Sequence, residues 1–197
     1  LSHIAEQMFS LHVPITAGVN VYFAESIEKV KDNFVDVQPT ILFAVPRIWE
    51  KFYAGVNAKL GTAPPLRQKI GGWAMGVGRE VNARRNAGQG EPTGLLGMKY
   101  NLASKLVFSK AKPNLGLSRA RICVSGAAPI SAEILRFFTG LDVVIFEVYG
   151  QSEDTGPTSF NRPGRTRIGS VGPAFPGVDI KIAEDEEILV KGKNVFL

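Results

Sequence analysis

Residues 149 to 154 read Tyr-Gly-Gln-Ser-Glu-Asp, and three of their side chains can do chemistry. Tyr149 offers a flat ring, Ser152 a hydroxyl and Glu153 a carboxylate. They follow residues 141 to 148, a run that is apolar apart from Asp142 and Glu147. A Val- and Ile-rich run of that length reads as a strand buried on both faces. A parallel strand delivers its last residues to its carboxyl edge, where open α/β sheets bind ligands. A ring to stack, a hydroxyl to touch phosphate and a carboxylate to hold a metal together suit a nucleotide. Mg2+ takes one or two carboxylates and fills its remaining positions with phosphate and water. Asp154 is expected to cap the local turn rather than to bind metal.

The same residues come close to a second chemistry. Residues 150 to 154 nearly match the G-x-S-x-G nucleophile elbow of a serine hydrolase, with Asp154 where the last glycine is needed. That elbow takes its base from a later histidine, whereas the two histidines, His3 and His12, lie far upstream. The nucleotide reading, by contrast, has a partner in the chain. Residues 121 to 125 read as a short strand that ends in Gly126-Ala127-Ala128-Pro129. Small residues let backbone approach a flat ligand closely. In a parallel sheet both tips lie on one edge and can share one pocket.

The elements that must position these tips follow from apolar spacing. Ile4, Ala5, Met8, Phe9 and Leu11 form a helical stripe that Gly18 stops. Residues 19–24 and 40–45 read as strands. Between them lies a helix capped by Ser26, with Ile27, Val30 and Phe34 as its buried face. Strand, helix, strand at this spacing implies a parallel sheet. Pro46 opens a helix with the stripe Ile48, Trp49, Phe52, Tyr53, Val56 and Leu60. By residue type alone, Trp49 favours core over tunnel lining. Leu66, Ile70, Trp73, Ala74, Val77 and Val81 mark a long amphipathic helix, and Met98, Leu102 and Leu106, with Val107 and Phe108, a second. Residues of about 64–112 thus form a helical insertion. Ser131 caps the next helix, Ile130 can staple onto Leu135, and Gly140 ends it. Beyond Gly156 lie a basic loop with Arg162, Arg165 and Arg167, then strands at 178–182 and 187–190 joined by Glu184-Asp185-Glu186.

Composition narrows the class. The 197 residues, 45% hydrophobic and 21% charged, suffice for one core or one and a half small ones. The net charge of +5 is spread along the chain, which points to solvated faces rather than a nucleic-acid partner. It leaves room for an anionic ligand or an anionic membrane surface. A single cysteine, Cys123, within an apolar run gives neither a disulfide framework nor a metal set, so a reducing, cytoplasmic setting is expected. No stretch reaches the length of a membrane span and no signal peptide is visible. With Leu at position 1 and an apolar Val195-Phe196 near its end, the chain reads as an internal piece of a longer protein. The expected fold is α/β: a parallel sheet flanked by helices over residues 1–168, then the beginning of a β-rich subdomain over 169–197, an incomplete domain.

Three motifs carry a resemblance. Residues 125–129 read SGAAP, 149–153 YGQSE and 169–177 GSVGPAFPG, with Gly150 following Gly126 by 24 residues and Gly169 following by another 19. In that order and spacing they resemble the motifs of the adenylate-forming acyl-CoA synthetase superfamily. Leu1-Ser2-His3, Val45-Pro46-Arg47-Ile48-Trp49-Glu50-Lys51 and the helical insertion resemble its long-chain fatty acyl-CoA synthetase branch. Residues 187–192 with Asn194-Val195-Phe196 resemble the motif that follows, with Glu186 where a glycine is usual. The resemblance covers essentially the whole chain.

It implies a two-step reaction. The carboxylate of a long-chain fatty acid attacks the α-phosphate of ATP, giving acyl-adenylate and pyrophosphate, and the thiol of coenzyme A then displaces AMP. ATP and AMP, Mg2+ and coenzyme A are the implied cofactors and co-substrates; a peripheral membrane contact is left open by the charge alone. By resemblance Glu153 would hold Mg2+ and Ser152 would touch the α-phosphate, which makes this pair the implied catalytic residues. Tyr149 would stack on adenine, while Gly126, Ala127 and Ala128 would wall the adenine and acyl pocket. Gly150 and Gln151 are counted with the nucleotide-binding residues. Trp49 would lie near the mouth of the fatty-acid tunnel and His3 near the acyl carboxylate. The family's phosphate loop, ribose-binding aspartate and catalytic lysine lie outside these residues, so the 197 residues alone are expected not to catalyse adenylation. Sister activities keep the same motifs: an acyl-AMP ligase that loads a carrier protein, or a carboxylic acid reductase. A non-catalytic nucleotide-binding homologue is the rival from another class.

Overall fold

In the computed structural model, residues 3–196 are described. Leu1 and Ser2, two of the residues that carry the resemblance, lie outside them. Four strands form one sheet in the order β1-β2-β3-β4: Ile41–Ala44, Ile122–Ser125, Ile145–Gln151 and Gly156–Phe160. The first three are parallel, with Ile41 opposite Ile122 and Ser125 opposite Glu147. β4 turns back antiparallel on β3, Val148 opposite Phe160. Two further strands, β5 (Val178–Ile182) and β6 (Ile188–Gly192), pair antiparallel in a sheet of their own.

The parallel sheet starts later than the apolar runs suggest. Residues 19–24 form no strand, and Tyr22 and Phe23 are exposed. An extended segment becomes a strand only when its amides and carbonyls find a ladder, and 19–24 have no such partner among the described residues. Ser26 does not cap the helix: its hydroxyl accepts from the Lys29 amide at 3.3 Å in the turn ahead of it, and Lys29 is the N-cap, with no side-chain cap hydrogen bond. The helix itself is α3, Val30–Val37, so Ile27 stays exposed while Phe34 packs on the core. Upstream, α1 (Ile4–Gln7), a π-turn at Met8–His12 and α2 (Val13–Ala17) run on until Gly18, which turns left-handed at φ 64.

Pro46 opens α4, Pro46–Gly61, directly after β1. Trp49 and Phe52 from this helix bury against Leu42, Ala44, Cys123 and Ile145 of the sheet and Leu135 and Phe138 of α8 (Ala132–Gly140). Each large apolar side chain buried here contributes about 1.5–3 kcal/mol. Ser131 caps α8 by accepting from the Glu133 amide at 3.2 Å, and Ile130 packs on the cluster that holds Leu135. Cys123 lies within this core, and burial pushes its thiol up to about 12.

The insertion consists of α5 (Pro65–Asn86), α6 (Gly94–Ala103), a π-turn at Ser104–Phe108 and α7 (Ser109–Asn114). Its packing departs from the spacing in one respect. Ala74, Val77 and Val81 of α5 meet Ala103 and Phe108, with Leu96, Tyr100 and Val107 around them. The stripe Met98, Leu102 and Leu106 faces outward instead, as do Leu66 and in part Trp73. A helix apolar on two sides does not show from sequence which side packs. Here the side carrying the small Ala103 lies against α5.

α5 also packs on α8, and Gly78 makes the approach possible. A methyl group at Gly78 would overlap the Gly140 carbonyl and lie 3.1 Å from Phe108 Cζ. Gly78→Ala is therefore expected to cost about 1–3 kcal/mol by forcing the helices apart, read as a lower urea midpoint at unchanged slope.

Residues 141–144 precede β3 rather than start it, with a turn at 141–142. Asp142 adopts φ 60 there, in the left-handed region that Asp tolerates better than most residues. Its carboxylate accepts from Lys112 Nζ at 2.6 Å, Arg85 Nη1 at 2.9 Å, Tyr100 Oη at 2.9 Å and Asn82 Nδ2 at 3.0 Å. One acidic side chain thus ties α5, α6 and α7 to the foot of β3.

Candidate functional site

The tips of β2 and β3 lie side by side, since Ser125 pairs with Glu147 and the chains run on in parallel. Gly126 makes the closest approach. A Cβ there would sit 2.6 Å from Val148 Cγ1 and 3.2 Å from Phe43 Cε2. Ala127 follows at φ 67, a left-handed conformation uncommon for a residue with a side chain. It turns the chain so that Ala127 and Ala128 are exposed on the shared edge.

β3 runs three residues beyond Val148, and its end is shaped by β4, whose residues 156–160 sequence spacing did not mark as a strand. A bulge between Tyr149 and Gly150 redirects the tip. Gly150 faces the Gly156 carbonyl so closely that a side chain would overlap it. Ser152–Asp154 then form a single 3-10 turn. Asp154 is buried and holds that turn, accepting from the Gln151 amide at 3.2 Å and from the Thr158 hydroxyl. Gln151 returns the contact by accepting from the Asp154 amide. The capping role expected of Asp154 is what the structure shows. Because Asp154 holds the turn, Ser152 and Glu153 are exposed at its outer side, beside a half-buried Tyr149. Asn194 and Phe196 grip the same turn through the Asp154 carbonyl at 2.9 Å and the Glu153 carbonyl at 3.2 Å.

α1 reaches this edge. Ile4 Cγ1 and Met8 Cγ would lie 3.9 and 3.6 Å from a Cβ on Gly156, and Phe9 stacks on Phe43 at 4.7 Å. His3 heads that helix, its Nδ1 accepting from the Ala5 amide at 3.1 Å with the imidazole exposed. Trp49 is placed otherwise than at a tunnel mouth. It is wholly buried, edge-on to Phe138 at 5.4 Å and to Phe52 at 6.3 Å. With its ring enclosed by core aromatics, Trp49 is a packing residue here.

Two residues that position the edge carried a faint signal in the sequence. Glu147, a carboxylate inside an apolar strand, accepts from the Gly169 amide at 2.9 Å and pins the GSVG segment to β3. Asn161 is buried and holds the basic loop, donating to the Arg167 and Ser170 carbonyls and accepting from the Arg167 amide at 3.1 Å. Burial pushes the Glu147 carboxyl above the usual glutamate range, against the amides of Gly169 and Ser170. A carboxyl harder to ionise folded than unfolded costs stability wherever it is charged, above its folded pKa. That cost fades as pH falls through the folded value. Glu147→Gln keeps an acceptor for Gly169. It is expected to raise Tm by a few degrees at pH 7 and to leave it unchanged below about pH 4, by calorimetry across that range.

The donor set sets limits on a metal. Glu153 and Ser152 are neighbouring exposed oxygen donors, and no group of three or more His, Cys, Asp or Glu side chains gathers among the described residues. That fits a hard cation held chiefly by phosphate oxygens and one carboxylate. It does not fit a closed structural metal centre.

A parallel α/β layer with two glycine-bearing strand tips on one edge is the place where open α/β sheets bind ligands. The chain belongs to the AMP-binding enzyme family, whose model matches residues 1–197. It is 36% identical to the long-chain-fatty-acid–CoA ligase ACSBG2 of Gallus gallus, over 100% of this chain and 26% of that protein. It is also 36% identical to the putative fatty-acid–CoA ligase fadD11 of Mycobacterium tuberculosis, over 99% of this chain and 34% of that one. The chain thus spans about a quarter to a third of the length of these relatives. Among solved structures, apo MatB from Rhodopseudomonas palustris shares the fold at a TM-score of 0.59 and 19% identity, covering 99% of this chain and 30% of that one. MenE from Bacillus subtilis, in complex with ATP and magnesium ion, does so at 0.54 and 16%, covering 98% and 31%.

Proposed function

We propose that the protein carrying these residues is an ATP-dependent long-chain fatty acid–CoA ligase, and that this chain forms part of its nucleotide and acyl site. The observation that carries the reading is the junction of the two tips, residues 125–129 and 149–153, on one sheet edge in parallel register. The kinship with fatty-acid–CoA ligases supports it. A carboxylate is a poor electrophile until its oxygen becomes a good leaving group, which adenylation provides. Negative charge then develops on the α-phosphoryl group, so catalysis rests on donors and cations fixed there.

In this reading Gly126, Ala127 and Ala128 wall the adenine and the acyl carboxylate. Tyr149 stacks on the base, and Gly150 and Gln151 line the backbone approach. Ser152 donates to the α-phosphate. Glu153 holds Mg2+, which supplies the positive charge opposite the phosphates. His3, exposed at the head of α1, is the residue of that helix assigned to the acyl carboxylate. Coenzyme A, a cytoplasmic setting and a peripheral membrane contact belong to the same proposal. Among the described residues no helix is long and apolar enough to cross a membrane. A division near Gly169 is retained as a proposal, supported by β5 and β6 forming a sheet separate from β1 to β4.

The test is ATP–pyrophosphate exchange by the full natural chain that carries these residues. Exchange should depend on a long-chain fatty acid, and added coenzyme A should yield the acyl thioester. Exchange that no fatty acid stimulates would overturn the reading. Acylation of a carrier protein but not of coenzyme A would assign the sister activity instead.

A further inference from the structure

An exposed apolar surface lies outside the site, on α6. Leu95, Met98, Leu102 and Leu106 follow at spacings of three, four and four, and are 68%, 71%, 50% and 41% exposed. That spacing makes one continuous stripe along α6 and the π-turn after it. It runs opposite the side carrying Tyr100, Ala103 and Phe108, which is buried toward α5. A contiguous exposed apolar stripe on an ordered helix marks an interaction surface.

The charges around the stripe say what kind. Lys99, Lys105 and Lys110 are exposed on the same helical run. From Pro92 to Ala132 the sequence contains six Lys and Arg residues and no Asp or Glu. An apolar stripe flanked by lysines, on a ten-residue helix too short to span a bilayer, suits a surface lying in a lipid interface. Lysine is a compact point charge that suits diffuse anionic headgroups rather than the paired geometry of one protein partner.

We infer that α6 and the turn after it lie on an anionic lipid surface, with Leu95, Met98, Leu102 and Leu106 in the headgroup–acyl boundary and Lys99, Lys105 and Lys110 among the headgroups. The inference rests on the fatty-acid reading for its purpose: a ligase held at a bilayer meets a substrate that dissolves there.

Vesicle flotation of the full natural chain tests it, with phosphatidylcholine alone or mixed with phosphatidylglycerol. The chain is expected to float with the anionic vesicles and to be released by salt. Each lysine near an anionic surface is worth about fivefold in binding, so Lys99→Glu, Lys105→Glu and Lys110→Glu together should weaken it by about a hundredfold or more. Met98→Asp with Leu102→Asp should weaken it by about tenfold or more while leaving the melting temperature unchanged. Flotation that neither set of changes reduces would overturn the inference. So would a marked loss of melting temperature in the aspartate variant, which would show the stripe covered by the protein itself. A dimer in light scattering that the aspartate variant splits, with vesicle binding intact, would give the stripe to a second copy. Exchange activity in solution is read separately: a chain that exchanges pyrophosphate but ignores vesicles sinks this surface alone, and one that floats without exchange sinks the ligase reading alone.

Discussion

Replacing Glu153 with Gln in the full natural chain is expected to lower fatty-acid-dependent ATP–pyrophosphate exchange by about a hundredfold or more, with no loss of thermal stability. The size follows from what one preorganised charged contact supplies to a developing phosphoryl charge, about 100- to 1,000-fold in rate. The unchanged stability follows from the local structure. Glu153 is exposed, and the turn that carries it is held by Asp154, Gln151 and Thr158. Gln preserves size and polarity and removes only the charge, so the Mg2+ concentration needed for half-maximal exchange should rise. Exchange within about threefold of wild type, at the same Mg2+ requirement, would remove Glu153 from the metal site. Asp154→Asn is the contrasting variant. It weakens the cap itself and should lower stability along with activity.

Asp142→Ala is expected to destabilise the chain by about 3–5 kcal/mol, the cost of breaking a buried ion pair from one side. Only 7% of the Asp142 side chain is exposed, and it faces Lys112 and Arg85. Its removal leaves these two cations, the Tyr100 hydroxyl and the Asn82 amide without their shared acceptor. Asp142→Asn tolerates the left-handed backbone and keeps an acceptor, and should cost about half as much. Urea unfolding followed by far-UV circular dichroism reads both. Burial pushes the Asp142 carboxyl up, but the charge of Lys112 and the hydrogen bonds from Lys112, Asn82 and Tyr100 outweigh it and hold the group below the usual aspartate range. Stability from a carboxylate so held is complete above its unfolded pKa, about 3.9, and is lost as pH falls through the lower folded value. The gap between wild type and Asp142→Ala should therefore close on acidification below about pH 4. A constant gap would mean that packing or backbone strain, not charge, makes up the loss.

Asp142 also shows why part of the architecture was illegible. In the sequence it interrupts an apolar run and reads as a blemish in a strand. Its four donors come from positions 82, 85, 100 and 112, each on a helix whose docking on β3 depends on the fold. Glu147 is a parallel case, an acid in a strand whose partner lies at Gly169. Glu186 differs, since the resemblance marks its position as a usual glycine. The structure supplies the reason, a backbone at φ 68 in the β5–β6 turn.

The sequence by itself made legible the α/β class, the helix starts at Pro46 and Ser131, a hairpin of strands at 178–182 and 187–190 (the second runs Ile188–Gly192) and the pairing of two glycine-bearing tips. Those are local properties: apolar period, caps, turn residues and motif spacing. It also determined the family, because motif order survives where the remaining identity does not. Tertiary structure alone decided that residues 19–24 stay outside the sheet, that β4 folds back on β3 and which aromatic rings enclose Trp49. It decided too that α6 turns Met98, Leu102 and Leu106 outward. The physical reason is common to all four. A ladder partner, a packing face or an enclosed ring depends on what lies opposite, and what lies opposite comes from distant parts of the chain.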